Sequence, residues 1–266
     1  MNMIRILCGL SFILGLCSCK KVIDLELKES DIKYVVEGAI TNEPGVCKVY
    51  LSQSKQFNED NQFPGVSGAV VTIKDNGVEF PLMETQPGAY ETKLIKGTPG
   101  HVYQLTVTIS SHTFTASCTM PQPVHLDSLY ISEGPFGQFD FATIQYKDPK
   151  DLNNRYRFVQ YVNGVKDPAI FLENDEFTNG NSITMQLDNG VNKKDDPRNI
   201  RSGDEVTVEM LCLDEVIYKY WYSLDAGGGD GSGSIAAPAN PLTNISGGAL
   251  GYFSAHTISR QKVIAP

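Results

Sequence analysis

Residues 69–82 read Ala-Val-Val-Thr-Ile-Lys-Asp-Asn-Gly-Val-Glu-Phe-Pro-Leu, and the reading of this stretch decides the fold class. An apolar run enters Asp75-Asn76-Gly77 and leaves through Val78, Phe80 and Leu82. An Asn-Gly pair between two alternating runs signals a two-residue β-hairpin, because a type I′ turn needs positive φ at both central positions. The same period of two continues on either side. Upstream, Tyr34-Val35-Val36-Glu37-Gly38 and the run 46–52, with Val49 and Leu51 inward, read as strands. Downstream, Tyr90, Thr92 and Leu94 alternate, and Tyr103, Leu105, Val107 and Ile109 share a face. A Ser110-Ser111 turn then leads into a returning strand from Thr113 to Met120. About seven short strands with turns between them describe a β-sandwich over residues 34–120, of immunoglobulin-like or transthyretin-like type.

Pro121-Gln122-Pro123 interrupts this pattern and is the expected boundary, since proline stiffens a connection and offers no backbone donor. The second part, residues 124–266, is again β-rich. Strands are expected over 126–132, 139–146 and 155–162, the last turning at Asn163-Gly164 into 169–172. Alternation at Ile183, Met185 and Leu187, and at Val206, Val208, Met210 and Cys212, gives two more. One helix is expected near 214–224: Ile217, Tyr220, Trp221 and Leu224 fall at i, i+3, i+4 and i+7, and Asp214 is placed to cap the first turn. Gly227 to Ser234 reads as a flexible loop, and Ala249 to Ile264 is apolar. The fold class expected is therefore mainly β, with a second β-rich domain carrying one helix.

The N-terminus carries a different message. Met1 to Arg5 is short and weakly positive, and Ile6 to Leu16 is an apolar run of eleven residues. A bilayer-spanning helix needs about 20, so residues 1–18 read as a cleaved leader. The run ends in Leu16-Cys17-Ser18-Cys19. This fits a lipoprotein signal cut between Ser18 and Cys19, with Cys19 acylated (by palmitate-type chains) at the new N-terminus. Cys17 fits poorly, because bulky Leu16 would precede the cut. Two or three acyl chains anchor stably where one does not. Residues 19–33 then read as a charged tether, and no later run has spanning length.

Removing 18 of the 266 residues leaves 248, and the loss of Arg5 leaves 21 basic against 31 acidic residues, a formal charge of −10. An acidic chain without a basic cluster argues against nucleic acid or an anionic lipid surface as partner. Cys47, Cys118 and Cys212 lack metal-ligand spacing. Cys47 and Cys118 both alternate inward, so they are a candidate disulfide, two separate buried thiols being the alternative. His101, His112, His125 and His256 are scattered, with no pairing that suits a metal. Ser67 lies in Gly65-Val66-Ser67-Gly68-Ala69, which lacks the last glycine and the strand-to-helix setting of a nucleophile elbow. The 188–196 segment is oxygen-rich, but Lys193, Lys194 and the missing terminal glutamate depart from a calcium loop. Gly227 to Ser234 follows a helix instead of opening one and has no lysine, so it is not a phosphate cradle. Tyr220 and Trp221 are expected in the core, with Tyr218 and Tyr222 at its edges. Asp127-Ser128-Leu129 is a short candidate O-glycosylation sequon at Ser128.

Several motifs recur in a recognisable order: Tyr34-Val35-Val36-Glu37-Gly38, Asn42-Glu43-Pro44-Gly45, Leu51-Ser52-Gln53-Ser54 and Val66-Ser67-Gly68-Ala69-Val70-Val71 in the first half. Tyr156-Arg157-Phe158 with Asn163-Gly164, the 218–224 helix and Asn244-Ile245-Ser246-Gly247-Gly248-Ala249-Leu250-Gly251-Tyr252-Phe253-Ser254-Ala255 follow in the second. Their order resembles a Bacteroidetes lipoprotein family catalogued as domain of unknown function 4249. The resemblance implies an outer-membrane lipoprotein, often beside a TonB-dependent transporter, and it brings no catalytic residues with it. Many Bacteroidetes lipoproteins destined for the outer face carry an acidic cluster just after the lipidated cysteine. Here Lys20 and Lys21 stand there, so both faces of the membrane stay open, with the surface favoured. The expectation is a non-enzymatic accessory or ligand-presenting partner of such a transporter, without cofactor. A free-standing adhesin or glycan-binding module is the alternative.

Overall fold

The computed structural model describes residues 31–45, 47–56, 62–134, 137–151, 153–193, 195–228 and 240–266. The leader, Ser18, Cys19, the tether up to residue 30, Lys194 and Gly229 to Ser234 lie outside the described residues. The protein is mainly β. In chain order the strands are β1 (Tyr34–Thr41), β2 (Cys47–Gln53), β3 (Val70–Asp75), β4 (Val78–Gln86), β5 (Ala89–Thr92), β6 (Val102–Ile109) and β7 (His112–Thr119). There follow β8 (Leu126–Glu133), β9 (Asp140–Lys147), β10 (Arg155–Val162), β11 (Val165–Lys166), β12 (Phe171–Asn174), β13 (Ser182–Gln186) and β14 (Glu205–Cys212). The helix α1 (Glu215–Gly228) and the long strand β15 (Leu250–Ile264) complete the set.

The hairpins form where the sequence places them. Asn76 and Gly77 have φ of 48° and 87°, and Asn163 and Gly164 have 50° and 77°, as type I′ turns require. Val36, Ile40, Val49, Leu51, Ile73, Leu105, Val107, Phe114 and Met120 are buried in one core. Leu94 departs from the expected alternation. Strand β5 ends at Thr92, whose Oγ1 accepts from the Leu94 amide, and Leu94 turns outward while Ile95 is buried.

The expected boundary at Pro121–Pro123 is corrected: residues Ile32–Pro266 form one compact unit. A twelve-stranded sheet runs β11-β10-β14-β15-β1-β2-β5-β4-β3-β6-β7, with β12 beside β10. The join is β15. Its first half pairs in parallel with β1, from Leu250 against Val35 to His256 against Thr41, and its second half pairs antiparallel with β14. Without β15 the outer edge of β1 would expose a row of unpaired peptide groups. Two cores persist within this single unit. The second lies between β10, β14 and β15 on one side and the three-stranded sheet β13-β9-β8 on the other. Tyr146 meets Tyr156 and Phe158 there at centroid distances of 5.1 and 5.7 Å.

Helix α1 covers the opposite face of β10 and β15. Asp214 caps it, its Oδ1 accepting from the Val216 amide at 3.1 Å, while its Oδ2 accepts from the Thr119 amide of β7 at 3.0 Å. Glu215 pairs with Lys219 one turn on, at 2.7 Å. Ile217 and Tyr220 are buried, as the spacing predicts. The helix continues through Gly228, four residues beyond the expected end, so Gly227 and Gly228 belong to it.

The candidate disulfide is also corrected. Cys47, Cys118 and Cys212 are free, buried thiols. Ile40 stands between the first two, pairing with Cys47 on one side and with Ala255 on the other. The Cys118 Sγ accepts instead from the Ala255 amide at 3.1 Å. Burial pushes both thiols up to about 12.

Candidate functional site

Strand alternation sends Val36 and Ile40 into the core and turns Glu37 and Ala39 to the other face of β1. Register then fixes their neighbours. Glu37 stands between Tyr50 and Tyr252, and Ala39 between Lys48 and Ser254. Small residues in the middle of this face leave a hollow of about 310 Å³ lined by Glu37, Gly38, Ala39, Lys48, Tyr50 and Tyr252. Tyr50 remains half exposed, and Lys48 is held by Glu91 at 2.9 Å.

Behind Tyr252 lies the aromatic cluster that α1 supplies. Tyr252 sits 4.7 Å from Tyr220 and 5.1 Å from Trp221, centroid to centroid, and Tyr220 meets Trp221 edge-on at 5.3 Å. The guanidinium of Arg157, on β10, lies 3.4 Å from the Trp221 ring centre, a cation–π stack. Burial lowers the Arg157 pKa. Burial and then the Arg157 charge lower that of Lys166 as well. Burial raises the Tyr220 hydroxyl to about 12, and the Glu37 charge adds to it. Tyr252 is raised by the same two causes in the same order. His256 is pushed down to about 4, by burial and then by Arg157. The hollow, the aromatic cluster and the charged groups are thus one electrostatically connected region. The hollow offers the rings of Tyr50 and Tyr252, the Glu37 carboxylate and the Lys48 ammonium. The Arg157–Trp221 pair lies outside that lining and against Tyr252. Together these groups suit the region to binding a small polar ligand or an extended segment.

The other sequence candidates are dispersed. His101 Nδ1 is 2.9 Å from Asp75 Oδ1 and 3.2 Å from Asn76 Nδ2, which ties the hairpin down. His112 packs against Tyr34 and Phe114, and His125 is exposed. Ser254 and His256 meet at 2.8 Å, but both are buried and the only charged group that shifts the histidine is cationic Arg157. Ser67 is exposed in a loop beside Glu84. Ser128 is half-buried on β8, its Oγ donating to Gln145 Oε1 at 2.9 Å. In the 188–196 segment Asp188 accepts from the Gly190 amide and Asp196 is gripped by Arg198 at 2.8 Å, which holds the Asp196 carboxyl down at about 2. Among the described residues no three His, Cys, Asp or Glu side chains gather as a metal site. Tyr218 stacks on the exposed Tyr222 at 6.3 Å.

A second concavity lies where residues 137–141 face residues 188–192 and 199–201. Two adjoining hollows of about 320 and 380 Å³ share Gln138 and Phe139, and Phe141, Asp188, Val191 and Asn192 line the larger.

The Asn244 to Ala255 motif builds the back of the first site. Thr243 Oγ1 donates to Gly251 O at 2.6 Å, and the Asn244 amide pairs with the backbone of Phe253. Ser246 and Thr115 exchange two backbone hydrogen bonds, at 2.7 and 3.2 Å. These contacts tie β15 to β7 and set Tyr252 against Glu37. The family model described as a domain of unknown function (DUF4249) matches residues 20–262. The chain belongs to this family. No curated protein matches it. The DUF4249 match covers β1 to most of β15, so the sheet that crosses both halves lies within the family domain. The residue types of Arg157, Glu37, Lys166 and Tyr252 do not by themselves mark them as site residues. The signal available was Arg157 itself, a charge inside the apolar run Tyr156-Arg157-Phe158-Val159.

Proposed function

We propose that this DUF4249 protein is a non-enzymatic, lipid-anchored protein of the outer membrane that captures or presents a ligand beside a TonB-dependent transporter. The observation that carries the reading is the junction at the N-terminus: the family domain begins at Lys20, directly after the cysteine that the lipobox marks for acylation. The anchor is Cys19, in outer-membrane lipid, and the surface-facing side is favoured. Among the described residues no helix is long and apolar enough to cross a membrane, in keeping with a folded body held by its lipid. The sites found are hollows with aromatic and charged walls, which serve binding. Purification of the tagged protein in mild detergent tests the reading. Co-recovery of a TonB-dependent barrel is expected, and its consistent absence overturns the partnership.

A glycan-binding adhesin is the second reading, and the concavity at Phe139 and Phe141 favours it. Phe139 and Phe141 offer apolar ring faces beside Gln138, Asp188 and Asn192, the pairing of stacking surface and hydroxyl-bonding groups that sugars use. Binding on a polysaccharide array, lost in Phe141→Ala, is its expected result.

A further inference from the structure

Among the described residues Arg157 is a buried cation without an ion pair. It is 7% exposed, and its Nε has no hydrogen-bond partner. Among the described residues no carboxylate lies within 4.0 Å of it, whereas Arg155, Arg198 and Arg260 each pair with one. Arginines this deep in a protein are almost always paired, because removing a charge from water is costly. The chain has acids to spare, 31 against 22 basic residues, yet none is spent here. Glu209 is taken by Arg260 at 2.6 Å, and Glu37 faces Tyr220 and Tyr252. Lys166, on exposed β11, has no ion pair among the described residues either; the charge of Arg157 works against its own, and those of Glu209 and Glu37 offset this more weakly. His256 adds no charge at neutral pH. A buried guanidinium with no ion pair among the described residues, and a second cation that β11 sets opposite Tyr161 on the same face of β10, define a place for an anion.

The form of the cation narrows the anion's chemistry. A guanidinium stacked flat on an indole keeps its N–H donors in the ring-parallel plane, pointing outward at the edge. That fork matches two oxygens of a carboxylate, phosphate or sulfate. Lys166 supplies a point charge that adapts to either a planar or a tetrahedral group. We propose that Arg157, backed by Trp221 and joined by Lys166, is the receptor for an oxyanion group on the ligand of the aromatic site. This rests on the ligand-capturing reading above and names the chemistry the ligand must carry.

Trp221 is the single tryptophan of the chain, so its emission reports directly on the guanidinium it carries. The full-length protein in mild detergent is titrated with sodium phosphate, sulfate and acetate, at ionic strength held constant with chloride. A saturable change in Trp221 emission with at least one oxyanion is expected. Lys166→Ala should weaken the apparent affinity tenfold or more, and Arg157→Gln should abolish the response. A linear response to all three anions, or equal affinity in wild type and Lys166→Ala, overturns the proposal. Lys166 is exposed, so its variant decides the matter even if Arg157→Gln does not fold. A flat titration with a co-purified transporter overturns the oxyanion site alone. A saturable titration without a transporter overturns the partnership alone.

Discussion

The side chain of Asn244 pairs with Phe253 as a neighbouring peptide group would: Nδ2 donates to Phe253 O at 2.8 Å, and Oδ1 accepts from Phe253 N at 3.0 Å. The same Nδ2 also donates to Ser117 O on β7 at 3.1 Å. Strand β14 pairs with β15 only from Thr257 onward, so the stretch before it needs other partners. Thr243, Asn244 and Cys118 supply them one after another. The most recognisable family motif is thus a structural latch that closes the sheet and positions Tyr252.

Asn244→Ala removes all three hydrogen bonds and leaves the Phe253 peptide unpartnered at the sheet edge. At about 1 kcal/mol net per bond, a loss of roughly 2–4 kcal/mol is expected, read as a lower urea midpoint at unchanged m-value. Asn244→Asp should not restore it, since a carboxylate has no N–H for Phe253 O and Ser117 O. A midpoint within error of wild type would show that the latch does not hold the sheet.

Gly251 and Gly248 offer a matched contrast. Both have positive φ, 97° and 90°. A Cβ on Gly251 would lie 2.0 Å from Val36 O, while one on Gly248 meets nothing within 4 Å. Gly248→Ala should therefore cost only about 1–2 kcal/mol of backbone strain, whereas Gly251→Ala should break the β1–β15 pairing and yield no folded protein. Similar melting temperatures for the two variants would contradict the close approach.

Thiol chemistry separates free cysteines from a disulfide. Under non-reducing conditions the native body should be inert to a disulfide reagent, with Cys47 and Cys118 buried and pushed up to about 12. After denaturation Cys47, Cys118 and Cys212 should all react. Titration of only Cys212 would restore the Cys47–Cys118 bridge.

His256 makes stability depend on pH in a defined direction. Its ordinary pKa is about 6.5, and in the fold burial and Arg157 push it down to about 4. The unfolded chain thus takes up a proton first as pH falls. The contribution is complete above about pH 6.5 and is lost between there and 4, at up to about 1.4 kcal/mol per unit. The loss attributable to Asp196, whose carboxyl is held down at about 2 by Arg198, falls below that window. Urea midpoints for wild type and His256→Gln between pH 7 and 4.5 should converge toward acid, and parallel curves would dismiss the histidine.

Labelled palmitate should enter the wild-type chain and not Cys19→Ser, read by autoradiography of the purified protein. Equal incorporation into both would move the acylation elsewhere.

Much of the local structure was legible because it follows from local rules. The Asn76-Gly77 and Asn163-Gly164 turns, the strand alternation around Val49, Leu105 and Phe114, and the Asp214 cap depend on neighbours within a few residues. The Leu94 error arose because a strand's end is set by its partner: β5 pairs with β2 only as far as Thr92. The two-domain division failed for a related reason. Pro121-Gln122-Pro123 ends a strand, but a break in the local pattern does not reveal which distant strand covers a free edge. Lysine at 166 and glutamate at 37 likewise show nothing until β11 sets the one opposite Tyr161 and β1 sets the other beside Tyr252.

By itself the sequence determined the mainly β class, the hairpins, the capped helix and the family, because backbone preference and side-chain period act over short distances. Only the tertiary structure decided that the halves share one sheet through β15, that Cys47 and Cys118 stand apart, and that Arg157 lies buried with no ion pair among the described residues. Those outcomes depend on contacts between residues distant in sequence, as far apart as Val35 and Leu250. Such pairing is chosen by the cost of leaving edges, thiols and charges without partners, and a single stretch of sequence does not carry it.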